Sequence, residues 1–160
     1  MRSARALAIA AGLLAATAAP AFADLTAFIG ANTTPANRQV TGVAAGMGLL
    51  MIGFEFEYAF TTDDPTAAAP SLKTGMAEVL LQTPVAFAGF QPYAIAGGGL
   101  YSETLGTHSD TSFGTNAGVG VKINLIGPLR LRVDYRAFKL GSGALYSPAH
   151  RIYAGLNVKL

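Results

Sequence analysis

The sequence predicts an all-β protein, an antiparallel up-and-down barrel of eight strands that crosses a membrane. Three observations predict this fold: the N-terminus has the pattern of an export signal, several segments alternate between apolar and polar residues, and the rest of the chain is apolar yet has no run of 18 apolar residues. In lipid, only helices and closed barrels satisfy every backbone hydrogen bond. An apolar exported chain without a spanning helix therefore favours a barrel.

The first residues predict a cleaved signal peptide. Arg2 and Arg5 precede an apolar stretch, and residues 21–23 read Ala-Phe-Ala, the small-x-small pattern that signal peptidase cuts. The alternative is an uncleaved anchor, but the apolar stretch is shorter than the roughly 20 residues that a spanning helix needs. We expect residues 1–23 to be removed and residues 24–160 to form the barrel domain.

Composition excludes several classes of function. Removing Arg2 and Arg5 from the 11 basic residues balances the nine acidic ones, and the remaining basic residues stand singly, so the sequence predicts no nucleic-acid binding. Cysteine is absent and there are only two histidines, with no metal-ligand spacing. We therefore expect no disulfide, metal or other cofactor.

Four strands are predicted in the first half of the mature chain, at residues 25–31, 39–47, 50–60 and 74–82. The first two have a weak period and are separated by a loop that contains Pro35. The third alternates clearly, with an aromatic residue on each side of Glu55 and Glu57. The fourth places Glu78 opposite a face of Ala, Val and Leu.

Four more strands are predicted at residues 91–101, 113–125, 128–139 and 150–160. The first contains three glycines at 97–99, which indicate a bend or a close backbone approach. The second places Lys122 opposite an apolar face. The third has the sharpest alternation in the chain, with four charged residues on one parity, and the last alternates to its end. The longer, polar connections are expected near 32–38, 61–72, 102–112 and 140–149, on the outer side of the membrane, with both chain ends on the periplasmic side.

Because the outside of the barrel is expected to face lipid, the polar residues at alternate positions of each strand should point into the interior. An eight-stranded barrel is narrow and filled by side chains, so buried charges there must be paired. The glutamates of one wall should face the arginines of the opposite wall, since strands three and seven lie across from each other. The predicted ion-pair network contains Glu55, Glu57, Glu78, Lys122, Arg130, Arg132, Asp134, Arg136, Arg151 and Lys159.

Aromatic residues are expected to face lipid near the two membrane surfaces. Tyr58, Phe60 and Tyr135 should mark the outer rim, and Phe90 and Tyr93 the inner rim.

Two alternatives to a closed structural barrel stay open. A small ion-conducting pore would need a passage between the lumen charges. A soluble, lipocalin-like periplasmic barrel that binds an apolar ligand would need the apolar parity inside.

A catalytic site of the hydrolase type would need a hydroxyl nucleophile with a base within hydrogen-bond reach. The candidate sets are Ser147 with His150, and His108 with Ser109 and Asp110, all placed in predicted outer loops. Such residues are common in loops, and we predict that the protein is not an enzyme.

The C-terminal residues carry a resemblance to a known family. Residues 153–160 place Gly155, Val158 and Leu160 in register with the assembly signal of outer-membrane barrels, although that signal usually ends in Phe. With the export signal and eight strands, the chain resembles the small OmpA/OmpX/opacity-type outer-membrane β-barrels. The resemblance implies a location in the outer membrane of a Gram-negative-type bacterium, with outer-membrane lipids, lipopolysaccharide and the barrel assembly machinery as partners. It implies a structural or surface-interaction role and identifies no extracellular partner.

Overall fold

A computed structural model describes residues 21–160 of the chain as a closed barrel of eight strands. The strands are β1 (Ala21–Asn32), β2 (Arg38–Leu49), β3 (Ile52–Thr61), β4 (Ser71–Gln82), β5 (Phe90–Leu105), β6 (His108–Ile126), β7 (Leu129–Lys139) and β8 (Ala149–Lys159). A short 3-10 turn, Pro65–Ala67, lies between β3 and β4. Within the described residues, no helix has the length and apolar character needed to span a bilayer.

Each strand pairs antiparallel with the next, and β1 closes the ring by pairing with β8 from Asp24↔Lys159 to Asn32↔Arg151. The predicted eight-stranded up-and-down barrel is thus confirmed, including its two least periodic strands. A closed ladder leaves no unpaired edge, which explains how the described chain holds together without disulfides. The predicted signal peptide lies mostly outside the described residues, and its cut would fall within β1, so cleavage after residue 23 stays a prediction.

The prediction of an outer loop at residues 102–112 is wrong. β5 and β6 continue through it as a hairpin, closed by a two-residue turn at Gly106 and Thr107. Polar side chains pair across this extension; the Thr111 hydroxyl, for example, donates to that of Ser102 at 3.0 Å. The polarity of this segment thus belongs to paired strands that extend beyond the apolar belt. The other outer connections are 33–37, 62–70 and 140–148, and the opposite end has 50–51, 83–89 and 127–128.

Side chains divide sharply between the two faces of the barrel wall. On β3, Phe54 and Phe56 are each 58% exposed on the outside, whereas Glu57 between Phe56 and Tyr58 is fully buried. The same alternation runs through β7, where the arginines point inward. The outside of the barrel is consequently apolar and the inside is charged, which is the arrangement that a lipid solvent requires.

Three small apolar clusters flank the charged interior. The largest joins Leu72, Met76, Tyr101, Phe138, Leu140 and Ala149 toward the outer end. A second contains Phe28 and Tyr153, whose rings stack at 4.0 Å, and a third contains Leu80, Tyr93 and Ile95.

Candidate functional site

Twelve charged side chains are buried in the described structure, and its most unusual feature is the set of ten that pair with one another inside the barrel. Each is at most 5% exposed. The five acidic members are Asp24, Glu55, Glu57, Glu78 and Asp134, and the five basic ones are Lys122, Arg130, Arg132, Arg136 and Arg151. Charges removed from water are tolerated when they are paired and hydrogen-bonded, so the contacts of this set determine what the interior can do.

Arg136 is the centre of the set. Its guanidinium contacts four carboxylates: Glu55 at 3.3 Å, Glu57 at 3.2 Å, Asp134 at 3.0 Å, and Glu78. It also donates to the Tyr153 hydroxyl at 2.8 Å. Because β3, β4 and β7 each contribute to these contacts, one side chain ties opposite walls of the barrel together.

Arg132 lies beside this hub and binds Glu55 with both terminal nitrogens, at 2.6 and 2.9 Å. This two-point geometry is the strongest form of an arginine–carboxylate pair. Arg132 also contacts Asp134 at 2.9 Å and donates from Nε to the Tyr93 hydroxyl at 2.6 Å. Tyr93 in turn donates to Asp134, so the phenol closes a small ring of polar contacts.

Arg151 forms the layer toward the outer end. Its guanidinium donates to Glu57 at 2.8 Å and to the Thr74 hydroxyl at 3.2 Å. The guanidinium carbon lies 4.3 Å from the centre of the Phe138 ring, within the range of a cation–π contact. Phe138 belongs to the outer apolar cluster, so this contact joins the charged layer to the apolar layer above it.

Asp24 forms a separate group at the end of the barrel where the chain termini lie. Its carboxylate accepts from the Lys122 ammonium at 2.7 Å and from Arg130 at 3.0 Å. Arg130 also donates to Asn157 at 2.7 Å and to Gln91 at 3.2 Å. Sequence reasoning missed Asp24 because it directly follows the expected cleavage site, but its parity with Thr26 and Phe28 could have placed it inside.

Two expectations about side-chain position are corrected. Lys159 has the inward parity but lies exposed at the rim, 5.1 Å from the Phe22 ring centre, because β8 ends there and the interior opens to water. Tyr93 does not face lipid: it is 4% exposed inside the barrel. The direction of β5 was ambiguous because its sequence is apolar on both parities. The outward positions of Tyr58, Phe60, Phe90 and Tyr135 agree with the expected aromatic girdle.

Glycines supply the space that the buried arginines and aromatic rings occupy. A Cβ atom on Gly118 would lie 3.0 Å from Cγ of Arg136, and one on Gly155 would lie 2.7 Å from Cβ of Phe28. Gly97 presses against Glu78 on the neighbouring strand, which is the close approach that the run of glycines predicted. Small residues on one strand thus face large ones on the next, as expected in a narrow barrel.

The buried glutamates could also be considered as metal ligands. One carboxylate oxygen from each of Glu55, Glu57 and Glu78 lies within 4.8 Å of the others. However, Arg136 contacts all three carboxylates. In addition, Arg132 contacts Glu55, and Arg151 contacts Glu57. Guanidinium groups therefore supply the counter-charge that a cation would otherwise provide.

The candidate catalytic residues bond to other partners. His150 Nδ1 lies 2.8 Å from the Tyr135 hydroxyl on the outer face. The Ser147 hydroxyl accepts from the backbone of Leu140 at 3.1 Å, and the His108 ring lies 3.2 Å from Glu103. None of these three contacts joins a serine hydroxyl to a histidine ring.

The three residues of the assembly motif lie in different environments. Gly155 is inside, against Phe28. Val158 is half-buried and Leu160 is 70% exposed at the end of the chain. The motif's role in assembly stays a prediction.

The distribution of side chains excludes the lipocalin-like alternative. That reading needs apolar residues inside and charged residues in water. The described structure has the reverse, with Leu81, Val119 and Leu156 more than half exposed and Arg132 fully buried.

Comparison with solved structures agrees with this fold. No family model and no curated protein matches the sequence. The N-terminal β-barrel domain of Pseudomonas aeruginosa OprF matches with a TM-score of 0.66 and 14% identity, over 87% of this chain and 97% of that one. Neisserial surface protein A matches at 0.60 and 17% identity, over 88% and 94%.

The Yersinia pestis outer membrane protein Ail matches at 0.53 and 12% identity, over 88% and 100%. The outer membrane enzyme PagL matches at 0.51 and 14% identity, over 86% and 98%. At these identities the likeness concerns the fold, while the apolar belt of this chain indicates that the fold faces lipid. The protein is an eight-stranded transmembrane β-barrel with the architecture of the small outer-membrane barrel proteins of bacteria.

Proposed function

We propose that the protein is a non-enzymatic barrel of the bacterial outer membrane with a closed lumen, and that it acts as a structural or surface-interaction protein. One observation carries the proposal: the interior is occupied by the ion-pair network centred on Arg136 and by the apolar cluster around Phe138. A lumen filled in this way favours a structural role in the membrane over a pore for solutes.

Conductance in a planar lipid bilayer tests the closed lumen. The purified, refolded barrel should give no stepwise current above the lipid background. Phe138→Ala should produce brief openings, because Phe138 is a fully buried member of the outer apolar cluster and its ring contacts Arg151. Steady channels from the unaltered protein would contradict the closed lumen and would favour the small-pore alternative.

A complementation experiment separates the two non-enzymatic roles. If the role is structural, cells that lack the protein should take up a dye that an intact outer membrane excludes. A variant in which the outer connections 62–70 and 140–148 are shortened should then restore the barrier. If only the full-length loops restore the phenotype, the surface-interaction role is favoured.

The catalytic alternative has less support. PagL is an enzyme, but its likeness to this chain is one of fold. In this structure, the His150 ring lies against Tyr135, and the Ser147 hydroxyl is held by the backbone of Leu140. Unchanged lipopolysaccharide and phospholipid after incubation with the refolded barrel is the expected result, and release of an acyl chain would overturn it.

The partners expected for such a barrel are proposals of the same kind. The apolar belt would be surrounded by outer-membrane lipids, with lipopolysaccharide at its outer half. The exposed C-terminal Leu160 fits recognition by the assembly machinery. Leu160→Asp should reduce the folded fraction recovered from the outer membrane, whereas Lys139→Gln at the opposite margin should leave it unchanged.

A further inference from the structure

A cavity of about 470 Å³ opens at the end of the barrel where the chain termini lie. This end is periplasmic in the orientation of the proposed function, on which the following inference rests. We call the cavity the periplasmic vestibule and define it by Gln91, Asn124, Arg130 and Lys159, with Val85 and Ile126 on its wall. Its volume lies within the range of small-molecule sites in proteins.

The polar side of the vestibule carries excess positive charge. Arg130 forms part of the floor, and its partner Asp24 also neutralises Lys122. Lys159 has no carboxylate within 4.0 Å among the described residues and lies over the Phe22 ring. Arg130 and Lys122 thus share one carboxylate, and Lys159 adds a positive charge that no carboxylate contacts among the described residues. Cleavage after residue 23 would remove Phe22 and leave the Lys159 ammonium open to a ligand.

The opposite side of the vestibule is apolar and exposed. Val85 is 72% exposed and Ile126 is 78% exposed, and Phe87, in the same connection as Val85, is 83% exposed. Phe90 and Leu125 continue this surface into the lipid-facing belt. A ligand that covers both sides must have an anionic head and an apolar chain.

We propose that the periplasmic vestibule binds an anionic amphiphile. A carboxylate or phosphate head group contacts Lys159 and Arg130, and the acyl chain lies on Val85 and Ile126 toward the belt. A free fatty acid and an inner-leaflet phospholipid share this chemistry. The charge of the vestibule selects the head group, and the continuity of its wall with the belt gives the chain an apolar route out.

Site-specific fluorescence quenching tests the proposal, and the absence of cysteine from the chain makes single labelling clean. The mature barrel in phosphatidylcholine nanodiscs carries bimane on Ala86→Cys, at the vestibule. The probe is 5-doxyl-stearate, whose nitroxide lies near its carboxylate. Its methyl ester is the uncharged control, and bimane on Thr107→Cys at the outer turn reports quenching that is not specific to the site.

Saturable quenching by the acid is expected for the vestibule label and not for the label at the outer turn, with little effect of the methyl ester. Lys159→Gln should weaken binding about fivefold, as for loss of one exposed charge contact. Ile126→Ser should weaken it about tenfold, since it removes apolar contact area. Lys139→Gln, the same charge change at the outer margin, should have no effect.

Competition identifies the source of the ligand. Displacement by oleate alone indicates a free fatty acid, and displacement by dioleoyl phosphatidylglycerol as well indicates an anionic head group in general. Equal quenching by acid and ester, or equal binding by Lys159→Gln and the parent, would overturn the proposal. Heat modifiability and bilayer conductance of the same samples report the fold and the closed lumen separately, so failure of the vestibule site does not count against the proposed function.

Discussion

Removing Arg132 should destabilise the barrel strongly, because two buried carboxylates each lose one of their positively charged partners. Arg132 is fully buried and binds Glu55 at 2.6 and 2.9 Å and Asp134 at 2.9 Å. Truncating one partner of a buried pair costs about 3–5 kcal/mol, since the other charge is left without water or a partner. Charge-assisted hydrogen bonds of about 1.5–3 kcal/mol each would sum to more. Arg136 still contacts both carboxylates, so we expect about 3–5 kcal/mol for Arg132→Ala.

Urea unfolding in lipid vesicles measures this cost. The chain has no Trp, so the folded fraction is best followed by the gel shift between unheated and boiled samples. Lys139→Ala is the matched control, because Lys139 lies on the same strand with its side chain exposed, and surface changes usually stay within about 0.5 kcal/mol. A loss below about 1 kcal/mol for Arg132→Ala would refute the paired interior.

A second substitution tests whether the cost comes from the stranded charge. After Arg132→Ala, Glu55 keeps only its 3.3 Å contact with Arg136. Glu55→Gln removes this poorly compensated charge, so the double variant should be at least as stable as Arg132→Ala alone. Additive losses would instead indicate that the two residues contribute independently.

Three further outcomes follow from single positions. Gly155→Ala should cost about 1–3 kcal/mol in the same unfolding assay, because the added methyl would lie 2.7 Å from Cβ of Phe28. Phe56→Lys, in the middle of β3 on the lipid face, should cost about 2–4 kcal/mol in vesicles. Asp64 caps the 3-10 turn, and hydrogen bonds from the Thr66 hydroxyl and backbone hold its pKa below its usual range. A lowered pKa stabilises the turn above the unfolded pKa of about 3.9, and NMR should show the turn melting only as the pH falls further and Asp64 protonates.

The parts of the barrel that the sequence predicts best are the strands in which charged and apolar residues alternate strictly. On β3 and β7, charged and apolar residues exchange at every step, so parity alone assigns Glu55, Glu57 and Arg132 to the interior. Counting strands around a ring of eight then places β3 across from β7. The contacts between these two walls follow from that count.

The position of each inward-pointing side chain along the barrel axis was harder to predict. Lys159 and Asp24 are register partners, yet only Asp24 is buried, because closure of the ring and tilt of the strands decide which inward residues reach the interior. Tyr93 lies on a strand whose two parities are both apolar, so no alternation indicated its direction. These positions depend on the whole ring and not on a local pattern.

The charged interior also helps explain how β7 finds its register. A slip of one residue turns every side chain of a strand to the other face. For β7, such a slip would move Arg132 and Arg136 into lipid, at about 2–4 kcal/mol for an arginine at the bilayer midplane. It would also break their contacts with Glu55 on β3 and Glu78 on β4, and it would leave these two carboxylates inside the barrel without a basic partner. Lipid outside and ion pairs inside thus oppose the same error, so the network can specify the register even where its net contribution to stability is small.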